Sequence, residues 1–279
     1  MTNPTTDPGG NPLALPPGLR LLQRVEFPRK LGICERLFGA SLARQGIRWV
    51  RTAPGPMWKL DLANPTHRWT VYGSYEGPAL WRWLRARAGA INTVVDSGAN
   101  IGQTVLYFAA LLPGARILAY EPGRLAREWL AACVAANGFK GVVVERAGLS
   151  DARGGARLGN VGGDELHGAW NQVNPAEGEA IELATLDEEL DRHGIAALDL
   201  WKLDVEGYEL QALRGAERSL AARRIRAIFM ELGSAQSESA ALLAGHGYTG
   251  WDLADSGRLT PLAGDRRSEW GNALFLPPG

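Results

Sequence analysis

The feature that most constrains this chain is a strand-like run that stops at an acid and passes straight into glycines. In "INTVVDSGANIGQT", Ile91 to Val95 has strand character, Asp96 ends it, and Gly98 and Gly102 bracket Asn100. A helical run, "IGQTVLYFAALL", follows at once. A strand that turns through glycines into a helix opens a βα unit, and such units build a mostly parallel sheet covered by helices. The rhythm repeats. "ARILAY" reads as a strand, and "GRLAREWLAACVAAN" as a helix closed by Gly138, a natural C-terminal stop. "GVVVERAG" is the third strand and "ALDLWKLDVEG" the fourth, with a short helix between them. Thr185 caps that helix and Glu188 stands three residues on. "YELQALRGAERSL" is a helix, "IRAIFMEL" the fifth strand, "SESAALLAGHG" a helix, and "YTGWDL" and "NALFLP" the final strands.

Composition removes several classes. With 30 basic and 30 acidic residues the formal charge is zero, so the basic footprint of a nucleic-acid binder is missing. Cys34 and Cys133 sit in apolar helical stretches without any CxxC or Cys/His cluster, which predicts buried thiols rather than a structural zinc site. No apolar run approaches the ~20 residues needed to span a bilayer. Residues 1–18, "MTNPTTDPGGNPLALPPG", lack the basic and apolar regions of a signal peptide and read as a flexible leader. The expectation is a cytoplasmic protein with neither a membrane nor a nucleic acid as partner.

Residues 19–89 read as an N-terminal cap of helices and short strands. Leu31, Cys34, Leu37, Phe38 and Leu42 fall at helical spacing. "IRWVR" and "MWKLDL" alternate like strands around Pro-Gly-Pro, and "GPALWRWLRARAG" is a helix. Half of the 10 tryptophans lie here. They either pack a core or line an acceptor pocket. Residues 90–279 form the main domain.

Ligands of open parallel sheets bind at the carboxyl ends of the strands, so the turn after Asp96 is the default site. Glycines there admit a ligand close to backbone. The pattern is not the G-x-G-x-x-G dinucleotide fingerprint. A carboxylate at the turn repels a pyrophosphate but suits a cation. One strand later, Glu121 ends "ILAYE", where an acid can accept both ribose hydroxyls. Either acid alone is equally well a helix cap. Together with the glycines they point to S-adenosylmethionine, which carries an ammonium, a sulfonium and a ribose.

"VVDSGANIGQT", "LAYEP", "TLDEEL", "LDLWKLDVEGYELQALRGAERSL" and "AIFMEL" occur in order, and in this the chain resembles the FkbM family of S-adenosylmethionine-dependent methyltransferases. The resemblance covers about residues 75–276. Its most specific part is the K-x-D-V-E-G-x-E block. The family usually has Val where this chain has Ser97. The resemblance implies the class I methyltransferase fold, a Rossmann-like seven-stranded, mostly parallel sheet with an antiparallel last strand. It implies that Asp96, Gly98, Asn100 and Gly102 hold the methionine part and Glu121 the ribose, with Thr104 also at the cofactor and Ser150 or Asp151 beside the adenine. Asn137 reads as a helix end.

"KLDVEG" places Lys202, Asp204 and Glu206 on alternate positions, one face of an extended strand. They either form a structural ion pair or floor the transfer site. Asp204, Glu206 and Glu231 are the candidate bases, with Lys202 beside them. An alcohol needs a base to take its proton during transfer. The same three acids are hard oxygen ligands of the type magnesium takes, although the resemblance does not call for a metal. His167, in a Gly-rich stretch that is either a lid or a hairpin, and His193, at a helix end, are weaker catalytic candidates. The reading is an O-methyltransferase for a hydroxyl of a glycan or secondary metabolite. N- or carboxyl-methylation of a small molecule or peptide, and a non-catalytic cofactor-binding protein, remain open. The sequence is compatible with a homodimer and does not fix it.

Overall fold

A computed structural model describes residues 11–52, 55–73, 78–160, 171–173, 178–232, 237–262 and 271–278. The N-terminal part holds α1 (Pro17–Leu22), α2 (Lys30–Cys34), a π turn (Glu35–Gly39), α3 (Ala40–Ala43), β1 (Ile47–Arg51), β2 (Met57–Asp61), α4 (Pro65–Tyr72) and α5 (Pro78–Arg85). Then come β3 (Thr93–Ser97), α6 (Val105–Leu111), β4 (Arg116–Tyr120), α7 (Arg124–Asn137), β5 (Val142–Glu145) and β6 (Ala147–Leu149). They are followed by β7 (Gly154–Asn160), β8 (Asn171–Val173), β9 (Glu179–Ala184), α8 (Leu186–Arg192), β10 (Leu200–Leu203), α9 (Glu209–Arg214) and α10 (Glu217–Ala221). The chain ends with β11 (Ile228–Leu232), α11 (Ser237–Gly245), β12 (Thr249–Leu253), β13 (Leu259–Pro261) and β14 (Gly271–Leu276).

The main sheet runs β13-β12-β14-β11-β10-β3-β4-β5. Strands β11, β10, β3, β4 and β5 are parallel neighbours, and β14 lies antiparallel between β11 and β12. This is the expected α/β class I methyltransferase sheet with its reversed last strand, extended by one short edge strand, β13. The order reverses direction at β3, so the ends of β3, β4 and β10 meet at a topological switch point. The buried strands are nearly all apolar, and their two faces meet separate cores. One contains Val95, Leu118, Trp201 and Met230, and the other Val94, Ile117, Phe108 and Leu274.

Several local expectations shift. The apolar run expected as one third strand divides at Arg146, and its second half, β6, joins a separate sheet, β6-β9-β7-β8. β7 and β8 pair antiparallel, the hairpin reading of the Gly-rich stretch; His167 lies outside the described residues. The helix after β10 breaks at Gly215, where a Cβ would stand 1.9 Å from the Ser150 carbonyl oxygen.

Residues 11–18, read as leader, touch the cap at two points. The Leu13 N–H donates to the Trp49 carbonyl, and Leu15 is buried. α4 was not foreseen, although its signals are present. The Asn64 side chain accepts the Thr66 N–H, Pro65 is the first helical residue, and left-handed Gly73 follows the last. Trp49, Trp58 and Trp83 are buried, which makes them core. The N-terminal part shares one apolar cluster with Ile101, Leu106, Trp129 and Cys133. Asn137 spans that seam, accepting the Met57 N–H and donating to the Met57 and Cys133 carbonyls.

Candidate functional site

Three parallel strand ends assemble the site. In the register of β3 and β10, Lys202 stands opposite Asp96. The Asp96 carboxylate is wholly buried. Its Oδ2 accepts a hydrogen bond from Thr104 Oγ1, and Lys202 Nζ lies 3.7 Å from Oδ1 and 3.0 Å from Asp204 Oδ2. Burial pushes the Asp96 carboxyl up, and the Lys202 ammonium opposes that shift. Asp96 is therefore an interior group that pins the start of the turn to β10. Its Oδ1 has no hydrogen-bond partner.

The glycines expected to admit a ligand have an internal reason. Gly98 has φ +77°, and a Cβ there would lie 1.9 Å from the Asp204 carbonyl oxygen. Gly102 has φ +99°, and a Cβ would meet Leu106 and Leu130 at 2.7 Å. Asn100 between them is also left-handed, a conformation Asn tolerates better than most residues, and its Oδ1 accepts the Ile101 N–H. The turn is thus wound by strand-to-strand and helix packing. It delays α6, which begins at Val105 rather than Ile101.

Glu121, at the end of β4, is nearly buried. Oε2 accepts the Asn100 N–H and Oε1 the Gly123 N–H, each at 2.8 Å. Burial raises its pKa to about 7 against those two hydrogen bonds. A carboxylate has about four acceptor positions, so two remain for other donors. The next strand end departs from expectation. Ser150 is buried, its Oγ bonded to Asp151 Oδ1, while Asp151 is exposed. Of the pair, Asp151 is the one open to solvent.

Beyond Leu203 the fourth strand ends, and the alternation expected for Lys202, Asp204 and Glu206 fails. Glu206 is left-handed at φ +53°, and Gly207 follows at φ +91°. Glu206 therefore leaves the shared face of Lys202 and Asp204. The turn is clamped by Glu209, the buried last acid of the K-x-D-V-E-G-x-E block, to which the sequence assigns no role. Its Oε1 accepts the Val205 and Gly207 N–H groups at 3.0 and 3.2 Å. Its signals are its place at the end of that block and in the first turn of a helix. Burial raises the Glu206 pKa to about 8, with Asp204, Glu231 and Glu209 adding repulsion and Lys202 opposing. Glu231, at the end of β11, is raised by burial and then by Asp204 and Glu209. Asp204, Glu206 and Glu231 thus form one electrostatic group, with Lys202 as the cation acting on it.

Other candidates lie apart. His193 caps α8, its Nε2 2.8 Å from Glu145 Oε1 and its carbonyl held by Arg116. Among the described residues Glu145, Glu189 and His193 are the metal-like group, but Arg192 crosses it, pairing with both acids. Ser97, where the family usually has Val, is buried and accepts the Trp201 indole N–H at 2.8 Å.

A family model described as the methyltransferase FkbM domain matches residues 96–249, more than half of the chain. Methyltransferase sdnD of Sordaria araneosa is 30% identical over 161 residues, 44% of this chain and 60% of that protein. This chain therefore spans less than two thirds of that relative. The 31-O-demethyl-FK506 methyltransferase FkbM of Streptomyces tacrolimicus is 29% identical over 191 residues, 57% of this chain and 73% of that protein. The N-terminal domain of human METTL16, solved in complex with SAH, aligns with a TM-score of 0.43 at 13% identity, over 89% of this chain and 81% of that one. No described helix is long and apolar enough to cross a membrane.

Proposed function

The chain belongs to the FkbM family of methyltransferases, and from that premise we propose that it transfers a methyl group from S-adenosylmethionine to a hydroxyl of a glycan or secondary metabolite. The observation that carries the reading is the surplus of carboxylate at the strand ends. Asp204, Glu206 and Glu231 crowd one another, and Lys202 is shared with buried Asp96. Such a site lacks positive charge, and a cationic ligand supplies it. When bound, S-adenosylmethionine provides an electrophilic methyl group on a sulfonium.

The chain's own residues divide the remaining work. The free acceptor positions of Glu121 suit a vicinal diol. The turn at Gly98, Asn100 and Gly102, braced by Asp96 and Thr104, keeps the Glu121 carboxylate in place through the Asn100 N–H. Asp151 is the exposed acid for the adenine side. Glu206 takes the acceptor proton. A base whose pKa lies near the working pH combines availability with driving force, and about 8 is in that range. Asp204 and Glu231 tune it. The name of the Streptomyces relative specifies an O-demethyl substrate, which supports oxygen as the acceptor atom. Residues 19–89 supply the cap through which acceptors are chosen.

Calorimetry tests the cofactor half. S-adenosylmethionine should bind the wild type in the micromolar range and NAD should not. Glu121→Gln should weaken binding at least about tenfold, the loss of a charge-assisted hydrogen bond. Equal binding by the variant would remove Glu121 from the ribose.

A further inference from the structure

Among the described residues, the exposed large apolar side chains are Leu21, Val25, Ile33 and Leu37, at 66%, 44%, 43% and 63% exposure. All four fall within the first part of the chain. α2, the π turn and α3 form one rod, because Glu35 and Ala40 at the joins keep helical dihedrals. Its inner face carries Lys30, Cys34 and Leu42, all buried. Its outer face carries Ile33, Arg36, Leu37 and Ala40, all exposed, with Arg29 just before it and Arg44 just after. The spacing is that of one helical stripe. Ahead of it, Arg20 and Arg24 stand next to Leu21 and Val25, again exposed.

The charge of this region is one-sided in a chain of zero net charge. Its two acids are already engaged, Glu26 with Lys30 and Glu35 with Arg68. The exposed arginines thus face solvent beside bare aliphatic side chains. We propose that this face docks on an anionic membrane surface, with Ile33 and Leu37 entering the headgroup boundary and Arg29, Arg36 and Arg44 meeting lipid phosphates. An amphipathic basic helix with an aliphatic face binds bilayers in this way, and arginine stems cover apolar surface while the guanidinium stays at the phosphates. The earlier expectation of no membrane partner rested on the lack of a spanning segment, and surface docking needs none.

Two other occupants fit less well. A second copy packed about a two-fold axis would set the patch against itself, arginine against arginine, and like charges across an interface are costly. A protein partner usually finds aromatic anchors at the centre of the patch, and here the exposed anchors are aliphatic. The first 10 residues, "MTNPTTDPGG", have Met1 as their one large apolar side chain, too little to cover the stripe.

Flotation of the full chain with vesicles tests the proposal. The probes are phosphatidylcholine alone and phosphatidylcholine with about one third phosphatidylglycerol, a content that gives a strongly negative surface. The wild type should float with the anionic vesicles and stay behind with the neutral ones. Replacing Arg36 and Arg44 by Gln should weaken binding about fivefold per arginine, more at low salt than at high. The double change Ile33→Ser, Leu37→Ser should abolish flotation while thermal unfolding stays unchanged, since both side chains are exposed. Failure of the wild type to float with anionic vesicles overturns the proposal. So does equal binding to neutral vesicles, or binding that survives both double variants. A wild-type dimer in light scattering that the serine changes convert to monomer assigns the face to a second copy and overturns it as well. None of these readouts depends on methyl transfer, so the outcome is independent of the proposed reaction.

Discussion

Two neighbouring turns, after β3 and after β10, leave the same edge of the sheet and are built on opposite terms. In the first, each carboxylate is held inside. Asp96 has Thr104 and Lys202, and Glu121 has two backbone N–H groups. Its glycines fill contacts with Asp204, Leu106 and Leu130. Each turn holds one left-handed residue other than glycine, Asn100 in the first and Glu206 in the second, but in the second Asp204, Glu206 and Glu231 repel one another. Unbalanced charge of this kind persists only where surrounding structure forces it, and it gathers at functional sites. On the proposed reading the first turn is frame and the second carries the acceptor chemistry, although the first looks the more conspicuous in the sequence.

The sharpest break would come from Glu206→Gln. It should lower kcat/KM about 100- to 10,000-fold while cofactor affinity stays within about threefold, the signature of a group acting on the acceptor proton rather than on binding. In the wild type the rate should rise with pH towards about 8, where the acid ionises. That limb should vanish in the variant. Stability should move the other way. The folded pKa is raised from 4.5 to about 8, so the folded chain holds an extra proton between these values. Its contribution is complete below about 4.5 and is lost as pH rises through about 8. Urea midpoints for wild type and Glu206→Gln should therefore diverge across that window. An unchanged rate in the glutamine variant would return the role to Asp204 or Glu231.

Lys202→Met should give the largest loss of stability. Breaking a buried pair leaves Asp96 uncompensated, at a cost of about 3–5 kcal/mol. The loss should shrink as pH falls, because burial favours the protonated form of Asp96, and urea unfolding over a range of pH measures both. A loss that ignores pH would mean that packing, not charge, is what Lys202 provides. The glycines separate frame from reactive turn more finely. Gly98→Ala adds a left-handed Cβ inside the Asp204 carbonyl and should cost about 2–4 kcal/mol. Gly207→Ala has open space around its Cβ and should cost only the backbone penalty, about 1–2 kcal/mol. Equal costs would show that contact with β10 does not constrain the first turn.

The fold was largely legible because periodicity carried it. Each parallel strand was an apolar run, and caps such as Thr185 and Gly138 stood where the helices start and stop. What escaped depended on neighbours distant in sequence. No local pattern says that β6 leaves the main sheet, or that Gly98 faces Asp204, 106 positions on. At the site, the acids were found by type and strand end. Their division into buried, clamping and mutually repelling groups was not visible, because that depends on which side chain the turn releases. Glu206 leaves the strand face through a left-handed step that alternation cannot foretell. Glu209 closes the K-x-D-V-E-G-x-E block, but its role as a clamp depends on two N–H donors that no local pattern names.

The smallest effect tests the seam between the two turns. Ser97 ends β3 and Trp201 lies in β10, and the hydroxyl of one accepts the indole N–H of the other at 2.8 Å, both wholly buried. Ser97→Val installs the residue its family usually carries, and by apolar transfer alone it should stabilise. Here it strands a buried donor, so a net loss of about 1 kcal/mol is expected. The urea midpoint measures this loss. The rate should scarcely change, because the seam lies below the reactive turn. If stability rises instead, Trp201 finds another acceptor and the two strand ends are joined by their backbone pairing and Lys202. If the rate falls with the midpoint, the frame transmits to Glu206, and the division between the two turns is less sharp than their geometry implies.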